Sequence, residues 1–246
     1  GKKFTAKLPA QRKVTDTKKT DFDQAIDAFD TAPYGAALSE KIAASRKALT
    51  ELATKRQAIT NLKITVPQMA GYYTPTIGKL LVIVEEMAVL SSDARMTKAI
   101  AAYTSFLQGK ERAGIERAMG AAGFSAGQFK PAIFKKFIEL IAQQNTFLSR
   151  FAIFASAEQR AFYKDTVKGA AVDEVNRMRK AAITSPQTGH TGGVEGPAWF
   201  DTITKKINLL KTAEDRIAND LVQLADKLHA GALNQLYIMI GVAVVL

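Results

Sequence analysis

From Phe200 to Ile238 the sequence repeats one pattern. Phe200, Ile203, Ile207, Leu210, Glu214, Ile217, Leu221, Leu224, Leu228, Gly231, Gln235 and Ile238 follow one another at alternating steps of three and four, and only Glu214 and Gln235 are polar. Steps averaging 3.5 place all of them on a single seam of one helix. A strand, with its side-chain period of two, has no use for this spacing. The pattern therefore predicts a long helix starting near Ala198 that needs other helices to cover its seam. It runs directly into Tyr237–Leu246, ten apolar residues without a charge. A bilayer span takes about 20 residues, so this end is expected to be the first half of a transmembrane helix cut off by the end of the sequence. The alternative is a buried apolar C-terminal helix. The start, Gly1-Lys2-Lys3-Phe4, has neither an initiator Met nor a signal-peptide core, and the chain is expected to be a fragment of a larger protein.

The rest of the chain is also helical in pattern. Phe4, Leu8, Gln11, Thr15, Phe22, Ala25 and Phe29 mark a first helix over about 5–30, ended by Pro33-Tyr34-Gly35. A second, near 36–61, is rich in Ala, Lys and Arg, all good helix formers. Thr65 and Pro67 open a third, which Pro75 should kink. Ser91 or Ser92 is the expected cap of a fourth, running to about Phe124. Pro131 begins a fifth, to about Ala155, and Ser156 caps a sixth, over about 157–183 with an interruption at Gly169. Ser185–Pro197 holds four Gly and two Pro and is expected to be a loop. No stretch alternates like a strand. Seven helices of roughly 25 residues joined by short turns predict an all-α fold of antiparallel bundles. An eighth helix before Gly1 would complete two packed four-helix units. The expected division is a sensor domain over 1–235, with a loop at 184–198 and a signalling helix at 199–235, followed by the start of a truncated transmembrane helix at 236–246.

Composition narrows the chemistry. With no Cys and two His there is no thiolate site and little to build a histidine metal centre from. Neither a phosphate-cradling Gly-rich loop nor an HExxH pattern occurs, and no triad or carboxylate pair rises above chance spacing. No enzyme activity, metal or cofactor is expected. The net charge of +11 admits anionic partners. Its 34 basic residues are spread rather than clustered, and on that ground no nucleic-acid partner is expected.

Two cations break an apolar stripe. Ala99, Tyr103, Phe106, Lys110, Ala113, Arg117, Gly120 and Phe124 share one face of the fourth helix. A buried cation without a partner costs several kcal/mol, roughly. Glu111 and Glu116 project from other faces in this register, so another helix or a bound anion should answer Lys110 and Arg117. Glu214 is a candidate for the first case, an internal salt bridge. In the second, Arg offers a planar fork to a planar oxyanion. Arg179 repeats the anomaly among Val172, Val175, Ala182 and Ile183. Arg177 lies at contact distance from Asp173 and Glu174 and reads as a surface pair. Arg112 faces Glu116 and Gln108 and reads the same way. Asn145, among Ile138, Ile141 and Leu148, reads as a core amide. Tyr72 and Tyr73 beside Pro75 read as core aromatics or the lining of a pocket at a kink.

Lys110-Glu-Arg-Ala-Gly-Ile-Glu-Arg-Ala118, together with Gln11-Arg12, Thr15-Asp16 and Asn145-Thr-Phe-Leu-Ser-Arg-Phe151, resembles the NIT domain, the nitrate- and nitrite-sensing module of bacterial receptors. The resemblance covers about 4–183, and the Lys-Glu-x-Ala-Gly-x-Glu-Arg-Ala run is its specific part. It implies two four-helix bundles and a nitrate or nitrite site held by arginines from separate helices. Arg117 matches the last Arg of the run, and Arg112 occupies its variable position. Arg177 and Arg179 fall where a second ligand arginine belongs, with Arg179 preferred on the stripe. The family's Gln-x-Glu-Arg-Gly segment, whose Arg would be a further ligand, is absent, and the chain is expected to begin after it. The candidate anion ligands are therefore Arg117, Arg179, Arg112, Arg177 and Lys110. The expectation is a sensor in the periplasm, belonging to a receptor of the bacterial inner membrane such as a chemoreceptor or sensor kinase. It would bind nitrate or nitrite, form a homodimer and contact the membrane through its C-terminal segment. The alternative is a structural or dimerisation bundle that recognises a protein partner and pairs its buried arginines internally.

Overall fold

The computed structural model describes residues 7–245, with side chains described for all of these but Val66 and 232–245. Among the described residues every regular element is helical. The helices are α1 (Lys7–Asp27), α2 (Ala36–Thr50), α3 (Leu52–Thr60), α4 (Val66–Leu90), α5 (Ala94–Ser125), α6 (Pro131–Phe154), α7 (Ala157–Thr166), α8 (Ala170–Thr188) and α9 (Gly196–Val245), with a short 3-10 turn at Ala32–Tyr34. The single helix expected over 36–61 is two, divided at Glu51.

Local chemistry sets most of the boundaries. Thr65 and Gln68 form a reciprocal capping box at α4, and Ser156 and Gln159 form another at α7. α4 continues through Pro75 to Leu90. α5 is capped by Asp93, whose carboxylate accepts from the backbone N–H groups of Arg95 and Met96, rather than by Ser91 or Ser92. A carboxylate outcompetes a hydroxyl at this positive helix end. Gly169, at φ +94°, separates α7 from α8 as expected. The loop expected from Ser185 is shorter than its Gly and Pro content implies, because α8 runs through Pro186 to Thr188. Pro186 has no N–H for the carbonyl of Ala182. The Ser185 hydroxyl donates to that oxygen instead, at 2.7 Å.

α5 packs chiefly against α6 and α9, and α9 is also covered by α7 and α8. Two apolar clusters fill this half. One joins Phe106, Ala113, Phe151, Leu210 and Ile217, and the other joins Phe124, Phe137, Val175, Met178, Trp199 and Ile203. α5 and α9 run antiparallel, with Phe106 and Ile217 in one cluster and Phe124 and Trp199 in the other. A smaller cluster of Leu38, Ile42 and Ile83 holds α2 to α4, reinforced by Lys41 Nζ to Glu86 at 2.7 Å. Arg12 ties α1 to α3 by donating to Thr60 Oγ1 at 2.8 Å and to the Arg56 carbonyl at 3.0 Å. Asp16, also in that motif, pairs with Arg56.

Close approach of α5 to α9 depends on Gly120. A Cβ there would lie 2.3 Å from the Trp199 ring. Trp199 is fully buried and its Nε1 donates to the Arg117 carbonyl at 3.0 Å. Gly120→Ala is therefore expected to destabilise the chain by about 1–3 kcal/mol through overpacking. It should also shift the emission of Trp199, the chain's one tryptophan. Urea denaturation followed by fluorescence reads both effects, and unchanged stability and emission would refute the account.

α9 has 50 residues and is about 75 Å long at 1.5 Å per residue. Its seam is buried at Ile203, Leu210, Glu214 and Ile217, and half-buried at Leu221, Leu224 and Leu228. Gln235 and Ile238 lie outside the described side chains, as does the membrane segment expected at 236–246. Among the described residues no helix is long and apolar enough to cross a membrane.

Candidate anion-binding site

Small residues show which face of α5 turns inward. Ala102, Ser105, Phe106, Gly109, Ala113, Glu116, Gly120, Gly123 and Phe124 are its buried positions, besides Ile100 near its start. The stripe read from Lys110 and Arg117 lies to one side of this face, so both cations are half-buried and Glu116 takes the central place. Glu116 is 0 % exposed. The expectation that it lies on another face is wrong, because Ala and Gly mark a core position as well as Leu does when a second helix comes close.

Around Glu116 of α5 three other helices each supply one polar side chain. Arg179 of α8 forks onto it, Nε to Oε1 and Nη2 to Oε2, both at 2.7 Å. Gln144 of α6 donates from Nε2 to Oε2 at 2.7 Å and to the Leu140 carbonyl at 3.1 Å. Its Oε1 accepts from Arg179 Nη2 at 2.9 Å. Lys206 of α9, 7 % exposed, completes the layer. It has no carboxylate within salt-bridge reach among the described residues. Burial, and secondarily the Arg179 charge, push its pKa from 10.5 down to about 8, against the favourable pull of Glu116. The layer sits between the two apolar clusters of the bundle.

Arg117 points elsewhere. Its Nη1 donates to Thr204 Oγ1 at 3.0 Å, and its guanidinium lies 4.8 Å from the centroid of the Phe200 ring. Among the described residues no carboxylate comes within salt-bridge reach of it. Burial alone lowers its pKa. Thr204 is in turn tied to the Phe200 carbonyl at 2.6 Å, so the group facing Arg117 is held in place.

The remaining candidates have other partners. Lys110 pairs with Glu214, the internal salt bridge considered for it. Glu214 in turn adds to burial in pushing the Tyr103 hydroxyl up to about 12. Arg177 is exposed and forks onto Glu174 at 2.8 and 2.6 Å. Arg112 donates to Gln108, which is held by Glu85 at 2.7 Å, and lies 4.9 Å from the Phe147 ring centroid. Glu111 is half-buried, and burial raises its pKa. Asn145 is exposed; the core amide is its neighbour Gln144.

Two cavities lie away from these arginines. One of about 480 Å³ between α2, α3 and α4 is lined by Tyr72, Pro75, Lys47, Lys55 and Lys79. Tyr72 also donates to the Ala48 carbonyl at 2.9 Å. The other, about 410 Å³, includes Arg95, Phe154, Gln159, Leu221 and Leu224.

A family model described as nitrate and nitrite sensing matches residues 1–222. The chain is similar to the nitrate regulatory protein of Klebsiella oxytoca, with 29% identity over 232 residues covering 94% of this chain and 57% of that protein. It is also similar to the solved structure of the NasR transcription antiterminator, with a TM-score of 0.85 and 28% identity over 94% of this chain and 62% of that one. The chain thus spans less than two thirds of either relative.

These relatives correct the wider expectations. They are a regulatory protein and a transcription antiterminator. That overturns the reading as an inner-membrane receptor with a periplasmic sensor, and with it the chemoreceptor and sensor kinase contexts and the membrane as partner. Transcription is carried out on nucleic acid, so the exclusion of a nucleic-acid partner is withdrawn as well. The membrane reading extrapolated from ten apolar residues, about half of a span. The nucleic-acid exclusion rested on how charge is spread over this chain alone, which says nothing about segments of a longer relative.

Proposed function

The chain belongs to the nitrate and nitrite sensing family, and on that premise we propose that it is the anion-sensing domain of a regulator of transcription, holding nitrate or nitrite in the core of α5, α8 and α9 through Arg117 and Arg179. One observation carries the site: the core there holds more cation than anion. Glu116 is paired with Arg179, while Lys206 and Arg117 have no carboxylate within salt-bridge reach among the described residues. Buried positive charge without a counter-ion is costly, and an entering monoanion relieves that cost. Lys110 and Arg177 already carry carboxylates and are left outside the ligand set. Arg112, resting on Gln108 and Phe147, is left outside as well.

We read the helices as two packed four-helix units. One consists of α5, α6, α9 and the α7–α8 pair. The other is built around α1, α2–α3 and α4, and α5 connects the two. In this reading α9 carries the packing change away from the site, because it crosses both apolar clusters. The competing reading is a bundle whose cations are all paired internally. The Lys110–Glu214 and Arg179–Glu116 pairs favour it, and Arg117 and Lys206 oppose it.

Nitrate titration decides between them. At nitrate about 100-fold above its dissociation constant, the melting temperature should rise by roughly 5 to 10 °C, and Arg117→Ala should abolish most of the rise. No rise with millimolar nitrate, or the same rise in Arg117→Ala, would refute the site.

A further inference from the structure

Glu116 fills the Arg179 fork as a bound oxyanion would. Its carboxylate is planar, and its two oxygens take one guanidinium nitrogen each at 2.7 Å. Two oxygens of nitrate or nitrite present the same edge. Gln144 closes the arrangement by donating to Glu116 and accepting from Arg179. The layer is nevertheless not neutral. Arg179 and Lys206 bring two positive charges, Glu116 brings one negative, and the Lys206 ammonium lies within electrostatic reach of both.

We propose that Glu116 is an internal competitor for the anion site: a monovalent planar oxyanion takes the Arg179 fork, and the displaced Glu116 carboxylate moves to Lys206. This rests on the sensing function proposed above and adds how the site is kept closed. Lys206 is then a positioning residue for the bound state, since it receives the released carboxylate. Shape and desolvation set the ligand class. A planar monoanion fits the edge that the Glu116 carboxylate now fills, while tetrahedral sulfate would have to shed the hydration of two charges to enter a buried layer. The exchange also has a mechanical consequence. Glu116 is on α5, Arg179 on α8 and Lys206 on α9, so ligand binding trades an α5–α8 tie for an α5–α9 tie. That moves the tie of α5 from one helix of the bundle to another, the long α9.

The test is calorimetric titration of the chain with sodium nitrate, and separately with sodium sulfate, at ionic strength fixed with chloride. The parent, Glu116→Gln, Lys206→Met and the double variant are compared. Glu116→Gln should bind nitrate about tenfold more tightly, the scale of one charge-assisted hydrogen bond. Lys206→Met should bind about tenfold more weakly, and the double variant should recover much of that loss because no carboxylate is then released. Sulfate should not compete. If the parent binds nitrate and Glu116→Gln binds no more tightly, the competitor role falls and the sensing site stands. If only Glu116→Gln binds, both stand, with Glu116 as the block. If no variant binds, both fall. Should Glu116→Gln fail to fold by circular dichroism, Lys206→Met decides alone, since unchanged affinity there overturns the handover.

Discussion

Lys206→Met is expected to stabilise the chain by roughly 3 kcal/mol at pH 7, although it removes a charge from the most polar layer of the core. The ammonium is 7 % exposed, and burial followed by the Arg179 charge lowers its pKa from 10.5 to about 8, an effect Glu116 only partly offsets. Such a displacement corresponds to roughly 3 kcal/mol of preference for the neutral form. Below pH 8 the ammonium is charged both folded and unfolded, so the whole cost of burying it falls on the folded state. Between pH 8 and 10.5 the unfolded chain holds the proton and the folded chain releases it. Unfolded then binds more protons than folded, and the stability of the parent rises with pH. The advantage of Lys206→Met should accordingly be full at pH 7, shrink from pH 8 upward, and be gone near pH 10.5. Met keeps the length and volume of the stem, so little packing is lost. Urea denaturation of both proteins from pH 6 to 10 measures the difference, in which the other titrating groups largely cancel. A difference near zero at pH 7, or one independent of pH, would show that Lys206 is already compensated.

The helical nature of the chain was legible because its periods are long and its caps are chemical. The seam of α9 needs only Ile203, Leu210, Glu214 and Ile217 to fix an inward face, and all four are buried. The capping residues Thr65 and Ser156 act as their sequence positions indicate. What sequence hides is rotation about a helix axis. On α5 the expected stripe runs through the two cations, whereas the packed face keeps Phe106, Ala113, Gly120 and Phe124 of it and is centred toward Ala102, Ser105, Gly109, Glu116 and Gly123. That rotation moved Glu116 from an expected surface position to the centre of the site. Lys206 carries no signal for a related reason: it stands at helical spacing between Ile203 and Leu210, but the seam runs through its neighbour Ile207 and leaves the lysine reading as a flank position. Arg179 was legible as an anomaly, but its partner was not, because Glu116 lies 63 residues away on a helix whose rotation its small buried residues conceal. The signal that could have found the layer was the coincidence of one polar residue per helix at the same level. Recognising it requires the antiparallel register of α5 and α9.

The same layer yields the largest expected loss. Glu116→Ala should destabilise the chain by about 3–5 kcal/mol, the usual cost of stranding a buried charge by deleting its partner. Here Arg179 loses its ion pair, Lys206 loses the longer-range pull of the same carboxylate, and the Gln144 amide loses an acceptor. Arg179→Met should cost less than Glu116→Ala, because Glu116 would still have Lys206 beside it and Gln144 donating to it. This asymmetry separates a shared carboxylate from a simple pair, for which deleting either partner would cost about the same. A second consequence follows from the vacancy that Glu116→Ala creates beside Arg179. A small planar anion can occupy the fork that the carboxylate left, so sodium nitrate should restore part of the lost stability while sodium chloride at the same ionic strength restores little. Denaturation midpoints of the two variants, each with and without nitrate, test both points. Equal losses would argue that Lys206 plays no part in holding Glu116. A nitrate effect no larger than that of chloride would argue that the Arg179 fork does not accept a free oxyanion. Because the fork geometry in the parent is set by a planar carboxylate at 2.7 Å on both arms, nitrite should rescue as nitrate does, and the dianion sulfate should not.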